Sequence, residues 1–452
     1  VTSSTVAVPS ARPAYLCSAA WQSIDGSGRN RSFAARILRV MDFATRAIHA
    51  GQEADPATGA TIVPIYATST YTQAAVGEHK GFDYSRVSNP TRLSLETQLA
   101  ALEEAEHCIA FASGLGAESA ITSLLSAGDH VVVSDDTYGG TYRLFTRVLE
   151  RFGMTFTFVD MTDHDAVRAA IRPNTKMLWI ETPTNPMLRI IDIPALVALK
   201  PRGATVVVDN TFCTPFFQSP LALGADIAIH SATKYIGGHS DVIGGAAMTN
   251  DARIADDLRL LQKTLGATLS PFEAFLISRG AKTLALRMRE HERNAHAIAT
   301  FLAERDDVAQ VFYPGLASHP QHELARTQMR GFGGIISMTL RGPESRALEV
   351  ARRTKLFSLA ESLGGVESLI NHPARMTHGS IPKDERDRRG ITDGLLRLSV
   401  GIESAHDLIA DLRGALDATL ALAGVAANGA TAGDPPDPDR IPATQNEGAP
   451  TS

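Results

Sequence analysis

SATKYIGGHSD, at Ser231–Asp241, follows an apolar run closed by an aspartate, TVVVDN at Thr205–Asn210. Together the two stretches decide the fold. Thr205–Val208 have the character of a buried strand, and Asp209 stands at its end. In open α/β sheets ligands bind at the carboxyl ends of the strands. Lys234 closes a turn that carries hydroxyls at Ser231 and Thr233. The GGHSDVIGG that follows, Gly237–Gly245, is rich in glycine, which allows backbone to pack closely around something. Taken singly, an aspartate after a strand also serves as a turn or helix cap, and a lysine after a turn is also a common surface residue.

The flanking sequence alternates. CIAFAS (Cys108–Ser113) reads as a buried strand, and GLGAESAITSLLSAG then places Leu115, Ile121, Leu124 and Leu125 on one helical face. HVVVSD (His130–Asp135), MLWIE (Met177–Glu181), TVVVD and DIAIH (Asp226–His230) read as further strands, several of them separated by helical segments. This pattern predicts an α/β protein with a mostly parallel sheet covered on both faces. Near residue 290 the texture changes. A long helical stretch, ALRMREHERNAHAIATFLAERD, leads to a second region with strands GGIISMTL (Gly333–Leu340) and LLRLSVGIE (Leu395–Glu403). SAHD at Ser404–Asp407 reads as the capping box of a last helix. No internal repeat is visible.

The chain has 452 residues, 44% of them hydrophobic, and a net charge of −6. That is enough for a large core and too long for one ordinary domain. Mild acidity gives no general attraction to nucleic acid or anionic membrane, and no apolar run approaches a bilayer span. Cys17, Cys108 and Cys213 are too scattered for a disulfide framework or a metal site, so no metal and a reducing cytoplasm are expected. Residues 1–40 are rich in Ser, Ala and Arg. A transit-type peptide, a disordered extension and a start assigned too far upstream are the three readings. The last is preferred, because Val1 is what a literally translated GUG codon gives and Met41 stands just before FATRAIHAG (Phe43–Gly51). Residues 425–452, rich in Pro, Gly, Ala and Asn, read as a disordered tail.

The chemistry follows from the paired features. Lys234 beside Ser231 and Thr233 suits a Schiff-base lysine next to a phosphate, and Asp209 suits a partner for a pyridinium nitrogen. Pyridoxal phosphate (PLP) needs both. SGLGA (Ser113–Ala117) sits between a strand and a helix, where backbone N–H groups bind phosphate, although such small-residue turns also serve tight packing. A nicotinamide reading is poor, because the full GxGxxG spacing is absent. Tyr138, in DDTYGGTYR, could stack on a ring. Asn185, in ETPTNP, could donate to a phenolic oxygen or form an Asx turn. Tyr84 and Arg86 lie two apart in the irregular FDYSRVSNPTR, and an arginine grips phosphate with a fork of donors. Arg397 alternates with Leu396 and Leu398. It therefore points away from their face, as a substrate-carboxylate clamp or a surface residue would.

In this order these motifs resemble the Cys/Met-metabolism family of PLP enzymes, and most of all its cystathionine γ-lyases and γ-synthases. The resemblance runs from about Phe43 to Leu422. It implies the aspartate-aminotransferase-like fold (fold type I), with a mostly parallel seven-stranded sheet domain and a smaller C-terminal α/β domain. The divisions would be an arm at 41–100 that contacts the partner subunit, a PLP-binding domain at 101–289 and a second domain at 290–424. It further implies a homotetramer of two tight dimers with sites shared between subunits. By the same resemblance Lys234 carries the coenzyme, Asp209 holds the ring nitrogen and Tyr138 stacks on the ring. Ser113, Gly114, Leu115, Thr211, Ser231 and Thr233 match cofactor-binding positions. Tyr84 and Arg86 match the pair that reaches the neighbouring subunit's phosphate. Asp83, Arg143, Asn185, Glu361, Ser362 and Arg397 match substrate-side positions. Methionine γ-lyases usually carry cysteine at the position of Gly140, acyl-homoserine sulfhydrylases commonly read GHGT at the position of Gly238–Asp241, and β-lyases tend to have aromatic residues within the Ala360–Leu369 stretch. None of these fits. The acidic Asp83 and Glu361 match γ-lyases and γ-synthases, with the lyase preferred. The implied activity is γ-elimination of L-cystathionine to cysteine, 2-oxobutanoate and ammonia. The alternative is γ-replacement on an O-acylhomoserine, and a non-catalytic scaffold of the same fold is a third possibility.

Overall fold

The computed structural model describes residues 41–379 and 381–424; the expectations for 1–40 and 425–452 fall outside them. The larger sheet has seven strands: β1 (His107–Phe111), β2 (His130–Ser134), β3 (Thr155–Val159), β4 (Thr175–Glu181), β5 (Thr205–Asp209), β6 (Ile227–Ser231) and β7 (Gly245–Thr249). Their spatial order is β1-β7-β6-β5-β4-β2-β3. β2 to β6 pair in parallel, and β7 runs antiparallel to both its neighbours. Runs such as Val131–Val133 and Val206–Val208 are apolar on both faces because helices cover both faces. Val207, Ile227 and Ile229 pack with Ala117 and Ile121 of the Gly114–Thr122 helix. Val206 and Val208 pack on the other face against Ile193 and Leu196. Side chains alternate along a strand. Asp209 therefore projects on the same face as Val207, the face covered by the Gly114–Thr122 helix.

The helix expected after β1 stops at Thr122, short of Leu124 and Leu125. The Thr122 hydroxyl donates to the Glu118 carbonyl (2.8 Å) and the Ser123 hydroxyl to the Ser119 carbonyl (2.6 Å). Such side chains compete for the helix's own acceptors. Both leucines still pack against the core.

The second sheet has five strands: β8 (Val308–Phe312), β9 (Ile335–Leu340), β10 (Ser358–Leu359), β11 (Leu369–Asn371) and β12 (Leu395–Ser399), in the order β10-β11-β12-β9-β8. β9 and β12 are the two strands legible in the sequence. β10 and β11 span two and three residues, too short for an alternation to show. The Leu284–Ala303 helix contributes Ile298 and Leu302, and the Ala405–Asp417 helix contributes Leu408 and Leu412, to the core beneath this sheet. Ser404 caps the latter helix by accepting from the Asp407 N–H (3.5 Å). Leu396 and Leu398 face that core. Arg397 lies on the opposite face and is only 2% exposed, so it is a buried residue and not a surface one. No described helix is long and apolar enough to cross a membrane.

Candidate active site

The site lies at the carboxyl ends of β5 and β6. Asp209 Oδ1 accepts from the Thr211 N–H (2.9 Å), and Thr211 Oγ1 accepts from the Ser231 N–H (2.9 Å), which ties the two strand ends together. The Gly114–Thr122 helix starts beside Ser231: a Cβ on Gly114 would lie 3.0 Å from the Ser231 Cβ, and one on Gly245 would overlap the Ser113 carbonyl. Only glycine lets these backbones approach so closely. Ser113 caps the helix, accepting from the Gly116 N–H (3.0 Å). The N–H groups at Gly114 and Leu115, together with the Ser231 hydroxyl, form a cradle suited to a phosphate. The Thr233 hydroxyl is engaged with Gly244, donating to its carbonyl (3.2 Å) and accepting from its N–H (3.1 Å). In this structure it therefore shapes the lysine loop.

Lys234 Nζ donates to Ser362 Oγ (2.7 Å). Burial, aided by the Arg397 charge and opposed by Glu361, pulls its pKa down to about 8. Ser362 has φ 89°, a left-handed conformation that strains a non-glycine residue by about 1–3 kcal/mol. That backbone lets its hydroxyl meet Lys234 while its carbonyl accepts from Arg397 Nη2 (2.9 Å). Arg397 Nη1 donates to Asn185 Oδ1 (2.9 Å), which leaves the Asn185 amide N–H₂ to donate elsewhere. Arg397 Nε has no partner among the described residues, and burial lowers the guanidinium to about 10. A buried guanidinium with a spare donor and no ion pair among the described residues fits an incoming carboxylate. Glu361 is exposed at the rim, and its charge acts on Lys234, Arg397 and Tyr138.

Tyr138 is 36% exposed and precedes the short helix Gly139–Arg143. Its N–H and the Thr137 hydroxyl both donate to Glu181 Oε2 (2.7 and 2.8 Å). Burial raises its phenol pKa, and Arg143 acts in the opposite sense. A Cβ on Gly140 would overlap the Tyr138 ring. Glu181 was not recognised as a site residue from the sequence. The signal was an acid at the end of a buried strand, the same one that marked Asp209. Glu118, 3% exposed, is a second omission; it looks like an ordinary helix residue.

Burial raises the pKa of Asp209, Glu181 and Glu118, and the mutual repulsion of the carboxyls adds to it for the two glutamates. A buried carboxylate costs several kcal/mol. One N–H bond to a charged group returns about 1.5–3 kcal/mol. For Asp209 burial outweighs the Thr211 hydrogen bonds and the His230 field, and a cationic ring N–H at its other oxygen would restore its ionised form. With the cradle and the lysine, this fits PLP.

Asp83, Tyr84 and Arg86 are not brought to this cluster within the protomer. Asp83 Oδ1 accepts from the Tyr84 N–H (2.7 Å). The Arg86 guanidinium lies 5.4 Å from the Tyr84 ring centroid and donates to the Lys263 carbonyl (2.5 Å). Tyr84 is 43% exposed.

The sheet order and the lysine–aspartate pair at its rim define a fold-type-I PLP enzyme. The family model for the Cys/Met metabolism PLP-dependent enzymes matches residues 44–417, and the chain belongs to that family. It is 53% identical over 375 residues to a Coxiella burnetii protein named cystathionine beta-lyase, covering 82% of this chain and 97% of that one. It is 53% identical over 376 residues to a Mycobacterium tuberculosis cystathionine gamma-synthase (82% and 96% covered). It is 52% identical over 374 residues to a Bacillus subtilis cystathionine gamma-lyase (82% and 98% covered). The solved structure of cystathionine gamma-lyase from Lactobacillus plantarum complexed with L-serine aligns with TM-score 0.82 at 46% identity, over 84% of this chain and 100% of that one. The cofactor is PLP; the three names leave the reaction open.

Proposed function

We propose that this chain is a cystathionine γ-lyase. The observation that carries the reading is Glu361, a carboxylate at the rim whose field acts on Lys234, Arg397 and Tyr138 at once. A substrate held by its α-carboxylate at Arg397 and carrying a second amino group at its far end suits that charge. L-Cystathionine has both features.

When bound, PLP supplies an electron sink for charge developing next to the substrate amine. Asp209 keeps the ring nitrogen protonated. Arg397, steadied by Asn185 and the Ser362 carbonyl, clamps the α-carboxylate. Lys234, with its pKa lowered to about 8, has a far larger neutral fraction near physiological pH than an ordinary lysine, and in that form it can accept the Cα proton and return it further along the chain. Ser362 orients that amine. The Tyr138 phenol, kept protonated by burial, delivers a proton to the departing sulfur. Tyr84 and Arg86 complete the phosphate site of a second copy. The assembly is a homotetramer, with an arm at 41–100, a PLP-binding domain at 101–289 and a second domain at 290–424.

The γ-synthase reading uses the same pocket, and the relative of that name at 53% identity favours it. A product assay separates the readings. L-Cystathionine alone should give 2-oxobutanoate and cysteine, at a kcat/KM above that for O-succinyl- or O-acetyl-homoserine with cysteine. Pyruvate and homocysteine as the products, or a preference for the acylhomoserines, would overturn the γ-lyase reading.

A further inference from the structure

Glu118 is a buried acid that the steps above do not use. It sits one turn into the Gly114–Thr122 helix, whose first N–H groups form the anion cradle. Thr141, fully buried, donates from Oγ1 to Glu118 Oε1 (3.1 Å). Glu118 Oε2 has no hydrogen-bond partner among the described residues. Thr141 belongs to the Gly139–Arg143 helix, immediately after Tyr138. The same segment is held on its other side by Glu181, which accepts from Thr137 and the Tyr138 N–H. Tyr138 thus stands between two carboxyl anchors, one at β4 and one on the cradle helix.

We propose that Glu118 is a positioning residue: through its bond to Thr141 it braces the cradle helix against the segment carrying Tyr138 and holds phenol and cradle in register. Burial first, and then the facing Asp209, raise its pKa and favour its neutral form. From β5 it faces Asp209, a like charge; from the Gly139–Arg143 segment it faces the neutral Thr141 hydroxyl, with the Tyr138 phenol close by. No cation among the described residues opposes it, and one hydroxyl does not offset the burial of a carboxylate. This inference rests on the PLP reading of the site.

Borohydride treatment of the wild-type holoenzyme tests that underlying reading separately, because the coenzyme should be fixed to the Lys234 peptide. The brace is tested by cofactor affinity, by the visible circular dichroism of the bound cofactor, and by the pH midpoint of its visible absorbance. Glu118→Gln keeps the shape, the neutrality and an acceptor for Thr141. It should keep the midpoint and bind PLP within about twofold of wild type. Glu118→Ala should weaken PLP binding about tenfold, the equivalent of one buried hydrogen bond, and diminish the dichroism. Thr141→Val removes the same bond from its other end and should reproduce the Ala result should that variant fold poorly. An infrared band of a protonated carboxyl, present in wild type and lost in Glu118→Gln, is expected. Glu118→Gln behaving like Glu118→Ala, or wild-type affinity and dichroism in both Glu118→Ala and Thr141→Val, overturns the proposal.

Discussion

Asp209 and Arg86 are both expected to hold the same coenzyme, yet they are built differently. Asp209 is bonded into a half-buried rim in which Thr211, Ser231 and Gly114 fix one another within a single protomer. Arg86 lies on an irregular stretch where it bonds the Lys263 carbonyl and covers the exposed ring of Tyr84. A charge placed at the end of a central strand is prepositioned by the whole sheet, and its alternatives are sterically closed. A charge on an extended segment becomes organised when something packs against it. The rim is thus preorganised for chemistry, and the arm is suited to completing a neighbour's site.

The largest effect that could break this contrast is at the rim. Asp209→Asn keeps the shape but removes the anion that would protonate the ring nitrogen. It should lower kcat/KM about 10²–10³-fold or more, while the Thr211–Ser231 bond keeps the fold intact. Near wild-type turnover in Asp209→Asn would mean that the rim has been misassigned. On the arm, Arg86→Ala should weaken PLP binding about 10–100-fold through the loss of charged hydrogen bonds. Its decisive property is complementation. At a PLP concentration too low to load Arg86→Ala, Arg86→Ala and Lys234→Ala subunits should each be inactive alone and recover activity when refolded together, because each mixed dimer has one site with both residues intact. Random 1:1 pairing restores about a quarter of the wild-type sites. No recovery on mixing would place Arg86 in its own subunit's site and erase the difference between the regions.

The same contrast explains what the sequence revealed. β5 and β6 were legible because Thr205–Val208 and Ile227–Ile229 are apolar on both faces, as only a covered parallel sheet requires, and because Asp209 and Lys234 break that pattern abruptly. Arg397 was legible by alternation with Leu396 and Leu398, and its burial excludes the surface reading. Glu118 was not legible. Its neighbours Ala117 and Ile121 mark the buried helical face, but no local pattern says that a threonine 23 positions later would reach its carboxyl. Thr233 shows the opposite limit, a residue with suitable chemistry and spacing whose hydroxyl is committed to Gly244. The contact of Lys234 with Ser362 depends on a left-handed serine in a loop between β10 and β11, two strands too short to be seen in the sequence.

The smallest effect sharpens the comparison most directly, because it reads the field of the rim without turnover. Lys234 must be neutral to capture the coenzyme, and burial places its pKa near 8, well below an ordinary lysine. Below that value the protonated amine is not a nucleophile. The rate at which the apoprotein takes up PLP should therefore fall about tenfold per pH unit below pH 8 and level off above it. Arg397 is the second cause of the depression after burial, so Arg397→Met should raise the midpoint by less than one unit, a rate change under about tenfold at fixed pH. Arg86→Ala, remote from this cluster in the same protomer, should leave the midpoint where it is. Stopped-flow absorbance across a pH series measures all three proteins. A wild-type midpoint at the ordinary lysine value would show that the rim does not desolvate its amine. An equal shift in Arg86→Ala would show that the arm shares the rim's field and is as preorganised as the rim itself.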